Sequence, residues 1–296
     1  MSKQDNLYRY LFEQEHIRGE LVQLCDSYQQ IIQAQQYPQP VQILLGELLA
    51  ATSLLTATLK FSGKITLQLQ GKGPVHLAVI DGNNNQQLRG VARWKEPLGN
   101  EYDFTSLTGE GQLVITITPE QGERYQGIIP LQGETLAQTL EHYFEQSEQL
   151  PTRIWLRTGE HDGKAHAAGM LLQALPVEQE QKEQQLLDMD HLSKLTETVK
   201  DEELFGLEAE ELLYRLYHQE QVRLFDPQAV NFYCPCSEER SAQALSLVDA
   251  KELHQLLEEQ GLISVNCDYC GEQYKFGAEQ VMDIIAKQQG SSDTKQ

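Results

Sequence analysis

The spacing of apolar residues changes along the chain, and these changes predict its secondary structure. From Ile17 to Ala34 apolar residues recur at helical spacing, which predicts a helix, and a second helix is predicted from Val41 to Leu59. After Lys60 the period changes from 3.6 to 2, with turn residues at Gly71–Pro74 and Asp81–Asn85. This pattern predicts a helix over 134–146 and strands at 65–69, 75–79, 88–94, 112–118, 125–131, 153–158 and 166–175. Helices with a largely antiparallel sheet, without regular βαβ alternation, predict an α+β domain over residues 1–175.

Pro176 marks the start of a different segment, residues 176–228, which we call the acidic linker. Its apolar residues keep a helical period, yet residues 178–226 contain 14 acidic and 5 basic side chains. Helices with such thin apolar faces gain little from burial and should be marginally stable. Two interpretations remain open: a solvated helical linker, which the composition favours, or a segment poised to unfold when a neighbouring contact is lost.

The last segment, residues 229–296, carries four of the five cysteines of the chain, Cys234, Cys236, Cys267 and Cys270. Between the two pairs the sequence predicts a helix that Asp249 caps and Gly261 ends. Strands are predicted at 262–265 and 273–276. A helix between the pairs can bring them together across the gap, which predicts a small C-terminal zinc-binding domain.

Four cysteines favour a structural or regulatory zinc ion over a catalytic one. Zn2+ binds thiolates in tetrahedral geometry, and four sulfur ligands leave no position for a substrate water. Most clustered-cysteine sites are inert structural sites, and the residues alone favour that interpretation, although two features point toward regulation. A disulfide across the single residue of Cys234-Pro235-Cys236 would be strained and easily reduced, and the cysteines follow the marginal linker.

Charge and cysteine usage exclude several classes of protein. The net charge is -21, and residues 232–276 contain 3 basic and 8 acidic side chains, so a nucleic-acid-binding zinc ribbon is disfavoured. The N-terminus has no apolar signal core, and Gln42 and Glu47 interrupt the most apolar stretch. Clustered cysteines are typical of a cytosolic metal or redox site, so we expect a cytoplasmic protein that does not bind membranes.

The remaining candidates have plainer interpretations. Cys25 is expected on the apolar face of a helix as a small core residue. His254 is expected as a surface residue of the predicted helix between the two cysteine pairs. The segment Gly159–Lys164 lacks the spacing of a phosphate-binding loop and predicts a hairpin turn, so no nucleotide is expected. No nucleophile–base constellation is visible. An enzyme with a cleft in the α+β domain is the weakest alternative.

The two cysteine motifs, near the end of a chain of this size, resemble those of the redox-regulated 33 kDa chaperonin (heat shock protein 33) family of bacteria. The resemblance covers essentially the whole chain and extends to the segments Tyr37–Pro40, Leu54–Phe61, Gly82–Gln87, Gly122–Gly127 and Leu150–Arg153.

The resemblance implies an ATP-independent holdase chaperone that is inactive while its four cysteines bind one Zn2+. It implies that oxidation releases the zinc and forms two disulfides, Cys234–Cys236 and Cys267–Cys270. The linker would then unfold, the protein would form a homodimer, and it would capture unfolded or oxidatively damaged client proteins. The alternative from another class is a zinc-ribbon adaptor whose metal is purely structural.

Overall fold

The fold is described from a computed structural model that covers residues 5–58 and 62–292. Residues 1–4, 59–61 and 293–296 lie outside this range. The end of the second predicted helix, Leu59, and the end of the segment Leu54–Phe61 are therefore not described. The chain divides into two compact units, Met1–Tyr233 and Cys234–Gln296. The α+β class predicted from the sequence is confirmed.

The first sheet of the larger unit, sheet A, is antiparallel and has the strand order β10-β1-β2-β9-β8, with β11 also paired to β1. Both faces of its central strands are buried, because successive side chains of a strand point to opposite faces and both sets are covered. Its strands are β1 (Asn6–Phe12), β2 (Ile17–Leu24), β8 (Thr152–His161), β9 (Lys164–Ala174), β10 (Val222–Leu224) and β11 (Gln228–Ala229).

The second sheet, sheet B, has the order β12-β5-β4-β3-β6-β7 and is antiparallel except for the pairing of β12 with β5. A long helix, α2 (Gln39–Thr58), packs against both sheets and is buried nearly all round, as expected for a core helix. The strands of sheet B are β3 (Gly63–Gly71), β4 (Val75–Asn83), β5 (Gln87–Trp94), β6 (Gly111–Pro119), β7 (Tyr125–Pro130) and β12 (Asn231–Phe232). Shorter helices flank the sheets: α1 (Asp26–Gln33), α3 (Phe104–Thr108) and α4 (Leu136–Tyr143), which continues as a π-helical turn, Phe144–Glu148.

The predicted helix from Ile17 to Ala34 is wrong over its first half. Residues 17–24 form strand β2, and only Asp26–Gln33 are helical. The error has a physical cause: a strand buried on both faces has apolar residues without alternation, so the pattern does not distinguish it from a helix. Cys25 is buried as predicted, but it precedes α1 as its N-cap residue and does not lie on a helix face.

The acidic linker folds into three helices, α5 (Lys182–Thr196), α6 (Asp201–Gly206) and α7 (Ala209–Tyr217). Their apolar side chains pack on the face of sheet A that points away from α2, and Leu192, Leu204 and Leu212 have no exposed surface. The expectation of little burial and the interpretation as a solvated linker are therefore wrong. The acidic side chains lie mainly on the outer face of each helix, whereas most residues of a narrow apolar stripe are buried.

Side chains of the linker and the sheet also hydrogen-bond across this contact. Gln23 Nε2 of β2 donates to the backbone carbonyls of Leu204 at 2.6 Å and Leu207 at 3.1 Å. Gln185 Nε2 of α5 donates to the carbonyls of His16 and Leu175, each at 2.9 Å. These bonds fix both ends of the α5–α6 segment on sheet A.

The smaller unit contains the predicted helix and both predicted strands. Helix α9 (Ala250–Gln260) begins after Asp249, whose side chain accepts from the Lys251 N–H, and ends at Gly261 with φ of 73°. Strands β13 (Ile263–Asn266) and β14 (Gln273–Phe276) form a hairpin. Two further helices, α8 (Glu238–Leu245) and α10 (Ala278–Ser292), were not predicted.

Among the described residues, α2 is the one helix long and apolar enough to cross a membrane by length and composition. Of its most apolar 18-residue window, 72% is buried inside the protein, as in a core helix.

The buried carboxyl group of Glu20 on β2 should make stability depend on pH. Burial raises the pKa of Glu20 to about 7, against the lowering effects of Arg18 and Arg9. Because the folded chain then holds a proton that the unfolded chain releases, the free energy of unfolding should fall as the pH rises from about 4.5 to about 7. Glu20→Gln should therefore raise the free energy of unfolding by about 1–3 kcal/mol at about pH 8 and little at about pH 4.5. Urea unfolding followed by fluorescence of Trp94 and Trp155 measures the free energy of unfolding, and Glu123→Gln, at an exposed carboxyl group, is the control. An equal increase in the free energy of unfolding at both pH values would contradict the prediction.

The Gln23 hydrogen bonds should contribute to linker docking. Gln23→Leu leaves the buried carbonyls of Leu204 and Leu207 without this donor, at a cost of about 1–2 kcal/mol. Hydrogen exchange of residues 201–206 should accelerate correspondingly, whereas Gln68→Leu on sheet B should leave it unchanged. Unchanged exchange in Gln23→Leu would mean that apolar packing alone holds α6.

Candidate metal centre

The four predicted ligands lie on two short backbone segments of the smaller unit. Cys234 and Cys236 precede α8 in a segment without regular secondary structure, and Cys267 and Cys270 lie in the turn between β13 and β14. The turn is closed by two backbone bonds of 2.8 Å, from Cys267 N–H to the Glu272 carbonyl and from Gly271 N–H to the Cys267 carbonyl. Gly271 has φ of 75°, a conformation that glycine adopts without strain.

The structure brings all four sulfur atoms together, within 4.8 Å of one another. Cys234 Sγ lies 3.6 Å from Cys267 Sγ, and Cys236 Sγ lies 3.4 Å from Cys270 Sγ. Sulfurs about 2.3 Å from a tetrahedral Zn2+ would be about 3.8 Å apart, whereas bonded sulfurs are about 2.05 Å apart. The cysteines are therefore free thiols, placed so that they can hold a metal ion.

The electrostatics of the cluster also fit a cation. Burial raises the pKa of Cys234 and, together with bonds to its neighbours, raises the pKa of Cys270 well above its ordinary value. For Cys236 burial acts in the same direction, but hydrogen bonds from Tyr274 and the other cysteines outweigh it and lower the pKa. Four thiols this close cannot all ionise unless a positive charge offsets their repulsion, which a divalent metal supplies.

Three neighbouring groups position the first cysteine pair. Tyr274 on β14 donates its hydroxyl to Cys236 Sγ at 3.2 Å. Arg240 Nη1 donates to the Pro235 carbonyl at 2.6 Å, and Ser237 caps α8 by accepting from the Arg240 N–H. Sequence reasoning missed Tyr274 and Arg240, because a tyrosine on a strand and a charged residue on a helix carry no spacing signal for a metal site.

Among the described residues, the smaller unit has a small apolar core. Its seven buried members are Leu245, Leu253, Ile263, Phe276, Val281, Ile284 and Ile285. So thin a core contributes limited stability, and metal binding to a unit of this kind contributes directly to its folding free energy.

The shortest sulfur–sulfur distances cross between the two motifs, whereas the predicted disulfides lie within each motif. These distances describe the arrangement of free thiols around a common centre. The pairing Cys234–Cys236 and Cys267–Cys270 stays a prediction.

The other candidates lie outside this cluster. His254 is a half-buried residue of α9 and is not among the four convergent ligands. Cys25 belongs to the larger unit, where its N–H donates to Asp5 at 2.7 Å. The Gly159–Lys164 segment forms the hairpin between β8 and β9, as predicted.

Comparison with known proteins gives one consistent result. A sequence model of the Hsp33 protein family matches residues 5–277. A 33 kDa chaperonin of Aeromonas salmonicida is 61% identical over 287 residues, which cover 97% of each chain. A 33 kDa chaperonin of Vibrio cholerae is 58% identical, over 97% of this chain and 98% of the relative.

The fold agrees with these sequence relationships. The crystal structure of the 33 kDa chaperonin of Thermotoga maritima superposes with a TM-score of 0.80 at 21% identity, and the alignment covers 95% of this chain and 98% of that one. A similarity at this identity supports the fold alone, whereas the family match and the relatives span nearly the whole sequence. The chain therefore belongs to the Hsp33 family.

Proposed function

We propose that this protein is a redox-regulated, ATP-independent holdase chaperone of the cytoplasm. The observation that carries the proposal is the convergence of four free thiols in the small unit that directly follows a linker covering an apolar sheet face. Membership of a family whose relatives are named chaperonins supports binding of unfolded proteins. A purely structural metal is the alternative that the experiments below must exclude.

In the reduced state we propose that Cys234, Cys236, Cys267 and Cys270 hold one Zn2+. The zinc ion, when bound, keeps the four sulfurs as thiolates and ties the two cysteine segments together. Tyr274 and Arg240 hold the first pair in place. Because the core of the smaller unit is thin, this unit should be folded only while the four sulfurs remain metal ligands.

Oxidation removes the ligands. Each pair of thiolates gives two electrons to one peroxide molecule, one S–S bond forms, and the peroxide becomes two hydroxide ions. Two peroxide molecules therefore convert four thiolates to the two proposed disulfides, Cys234–Cys236 and Cys267–Cys270. A disulfide sulfur is a poor ligand for Zn2+, so the metal leaves.

The linker would transmit this change to the larger unit. Between α7 and Cys234 the regular structure consists of the short strands β10, β11 and β12, which have three, two and two residues. Val230, buried in the core, and the hydrogen bond from Gln228 to the Asn84 carbonyl also hold this segment. Release of the linker would uncover the apolar face of sheet A that includes Tyr10, Phe12, Leu21 and Met170. Such a face would bind exposed apolar segments of unfolded or oxidatively damaged client proteins, and we propose that two oxidised copies form a homodimer.

We assign a separate role to each of the three segments predicted from the sequence. Residues 1–175 would bind clients and dimerise, 176–228 would form the switchable linker, and 229–296 would sense oxidants. No nucleotide, nucleic acid, membrane or catalytic step is part of this proposal.

Peroxide at elevated temperature should release one zinc ion and switch on client protection. The measurements are zinc release with a chromogenic indicator, thiol count, and light scattering of a heat-aggregating client with reduced or oxidised protein. Cys25→Ser should behave as wild type. Replacement of the four clustered cysteines by serine should abolish the response to peroxide.

Two outcomes would contradict the proposal. If zinc leaves but reduced and oxidised protein suppress aggregation equally, there is no switch. If the zinc stays bound under peroxide, the metal is structural.

Tyr274 should slow the loss of the metal. Tyr274→Phe removes the hydrogen bond to Cys236 Sγ while keeping the ring, so the Cys236 thiolate loses a donor that stabilises it. Zinc transfer to a competing chelator should therefore be several-fold faster. Tyr214→Phe, at a side chain that is 72% exposed on α7, is the control. Equal transfer rates in the two variants would remove Tyr274 from the site.

A further inference from the structure

The hairpin of β8 and β9 ends in two histidines that pack against the linker helix α6. His166 pairs with Gly159, and His161 pairs with Lys164. The two imidazole rings meet edge to face with centroids 5.7 Å apart, and the ring of His166 lies 5.7 Å from the ring of Phe205. We call these three side chains the histidine contact.

The histidine contact is closely packed. A Cβ atom on Gly206 would lie 2.9 Å from both Cε1 and Nε2 of His161, and a Cβ on Gly159 would lie 2.8 Å from Cε2 of Phe205. Phe205 is only 4% exposed. Because α6 has six residues, its docking depends on this contact, on its buried Leu204 and on the Gln23 hydrogen bonds.

The charged groups on the hairpin and just before β1 give His166 little compensation for an added proton. Asp162 Oδ2 lies 3.7 Å from His161 Nε2, but the Asp162 side chain is 91% exposed, so water weakens the attraction. Asp5 attracts a proton to His166, yet its carboxylate already accepts from the backbone N–H groups of Cys25 and Ser27. Lys164 places a further positive charge near His166.

The charged groups on α6 are engaged elsewhere. Asp201 pairs with Arg157 at 3.6 Å, and Glu203 pairs with Arg215 at 3.2 Å. Glu202 is exposed to solvent. Helix α6 therefore contacts His161 and His166 through the Phe205 ring and the Gly206 backbone.

The neutral form of His166 is favoured while α6 is docked. Burial, the largest effect, and then His161 lower the pKa of His166, whereas Asp5 and a hydrogen bond to the His161 backbone raise it by less. In a released linker the ring would meet water, where the pKa of histidine is about 6.5. Since the docked state has the lower pKa, docking loses stability as the pH falls below about 6.5.

We propose that the histidine contact is a proton-sensitive switch: protonation of His166 loosens α6 from sheet A while the four cysteines remain reduced. An imidazolium ion at this position would be desolvated against the Phe205 ring of the linker and the neighbouring His161 ring. Acidification would thus favour the same linker release that oxidation causes under the proposed function, on which the physiological meaning of this inference rests.

Hydrogen exchange of the full-length, reduced, zinc-loaded protein at about pH 7.5 and about pH 5.5 tests the switch. Protection factors correct for the intrinsic effect of pH on exchange. Between the two pH values, protection of residues 201–206 should fall at least about threefold more in wild type than in the double variant H161Q/H166Q. His76→Gln, at an exposed histidine of sheet B, should behave as wild type. Because both proteins keep all four cysteines, any loss of zinc in acid affects them alike.

Equal falls in wild type and double variant would overturn the proposal. So would higher protection in wild type at the lower pH, which would mean that Phe205 binds an imidazolium better than a neutral ring. If the double variant already lacks protection at about pH 7.5, the pKa of His166 measured by NMR in wild type decides. A value below about 6.5 supports the switch, and a value at or above it overturns the switch.

A parallel sample with peroxide at about pH 7.5 separates this inference from the proposed function. If peroxide releases the linker and acid does not, only the histidine switch fails. If acid releases the linker and peroxide does not, the redox function fails and the histidine switch stands.

Discussion

The burial of sheet A on both faces is the constraint on which the rest of the structure depends. Helix α2 covers one face and the acidic linker covers the other, so the central strands carry apolar side chains in both directions. A sheet of this kind cannot lose either cover without exposing a contiguous apolar surface to water. The linker is therefore part of the fold, and under the proposed function its release would expose the apolar face that it covers.

The linker is an amphipathic cover. Most of its inward apolar side chains are buried, although Leu195 and Leu207 are only partly so, and the hydrogen bonds of Gln23 and Gln185 join it to sheet A. At its C-terminal end lie strands β10 and β11, which have three and two residues. Under the proposed function, these short strands and the small core of the unit that carries the cysteines are the parts expected to open most easily.

Features that depend on local spacing or capping could be predicted from the sequence. They are most of the strands, helix α2, helix α9 with its Asp249 and Gly261 ends, and the four-cysteine cluster. Strand β2 could not be predicted, since burial on both faces removes the alternation that marks a strand. The burial of the linker was also hidden, because its partner is a sheet face assembled from four strands, two of them more than a hundred positions away. The same reason applies to Tyr274 and to the histidine contact: neither has a signal until the fold brings distant residues together.

The excess of nine negative charges on residues 178–226 has a further consequence. Docked, these charges are spread over the surface of folded helices; released, they belong to a flexible polyanion that repels itself and the acidic remainder of the chain. Salt screens such repulsion over a Debye length of about 8 Å at physiological ionic strength and less at higher concentration. If the linker is released as proposed, higher ionic strength should therefore favour its return to sheet A, and lower ionic strength should keep it released.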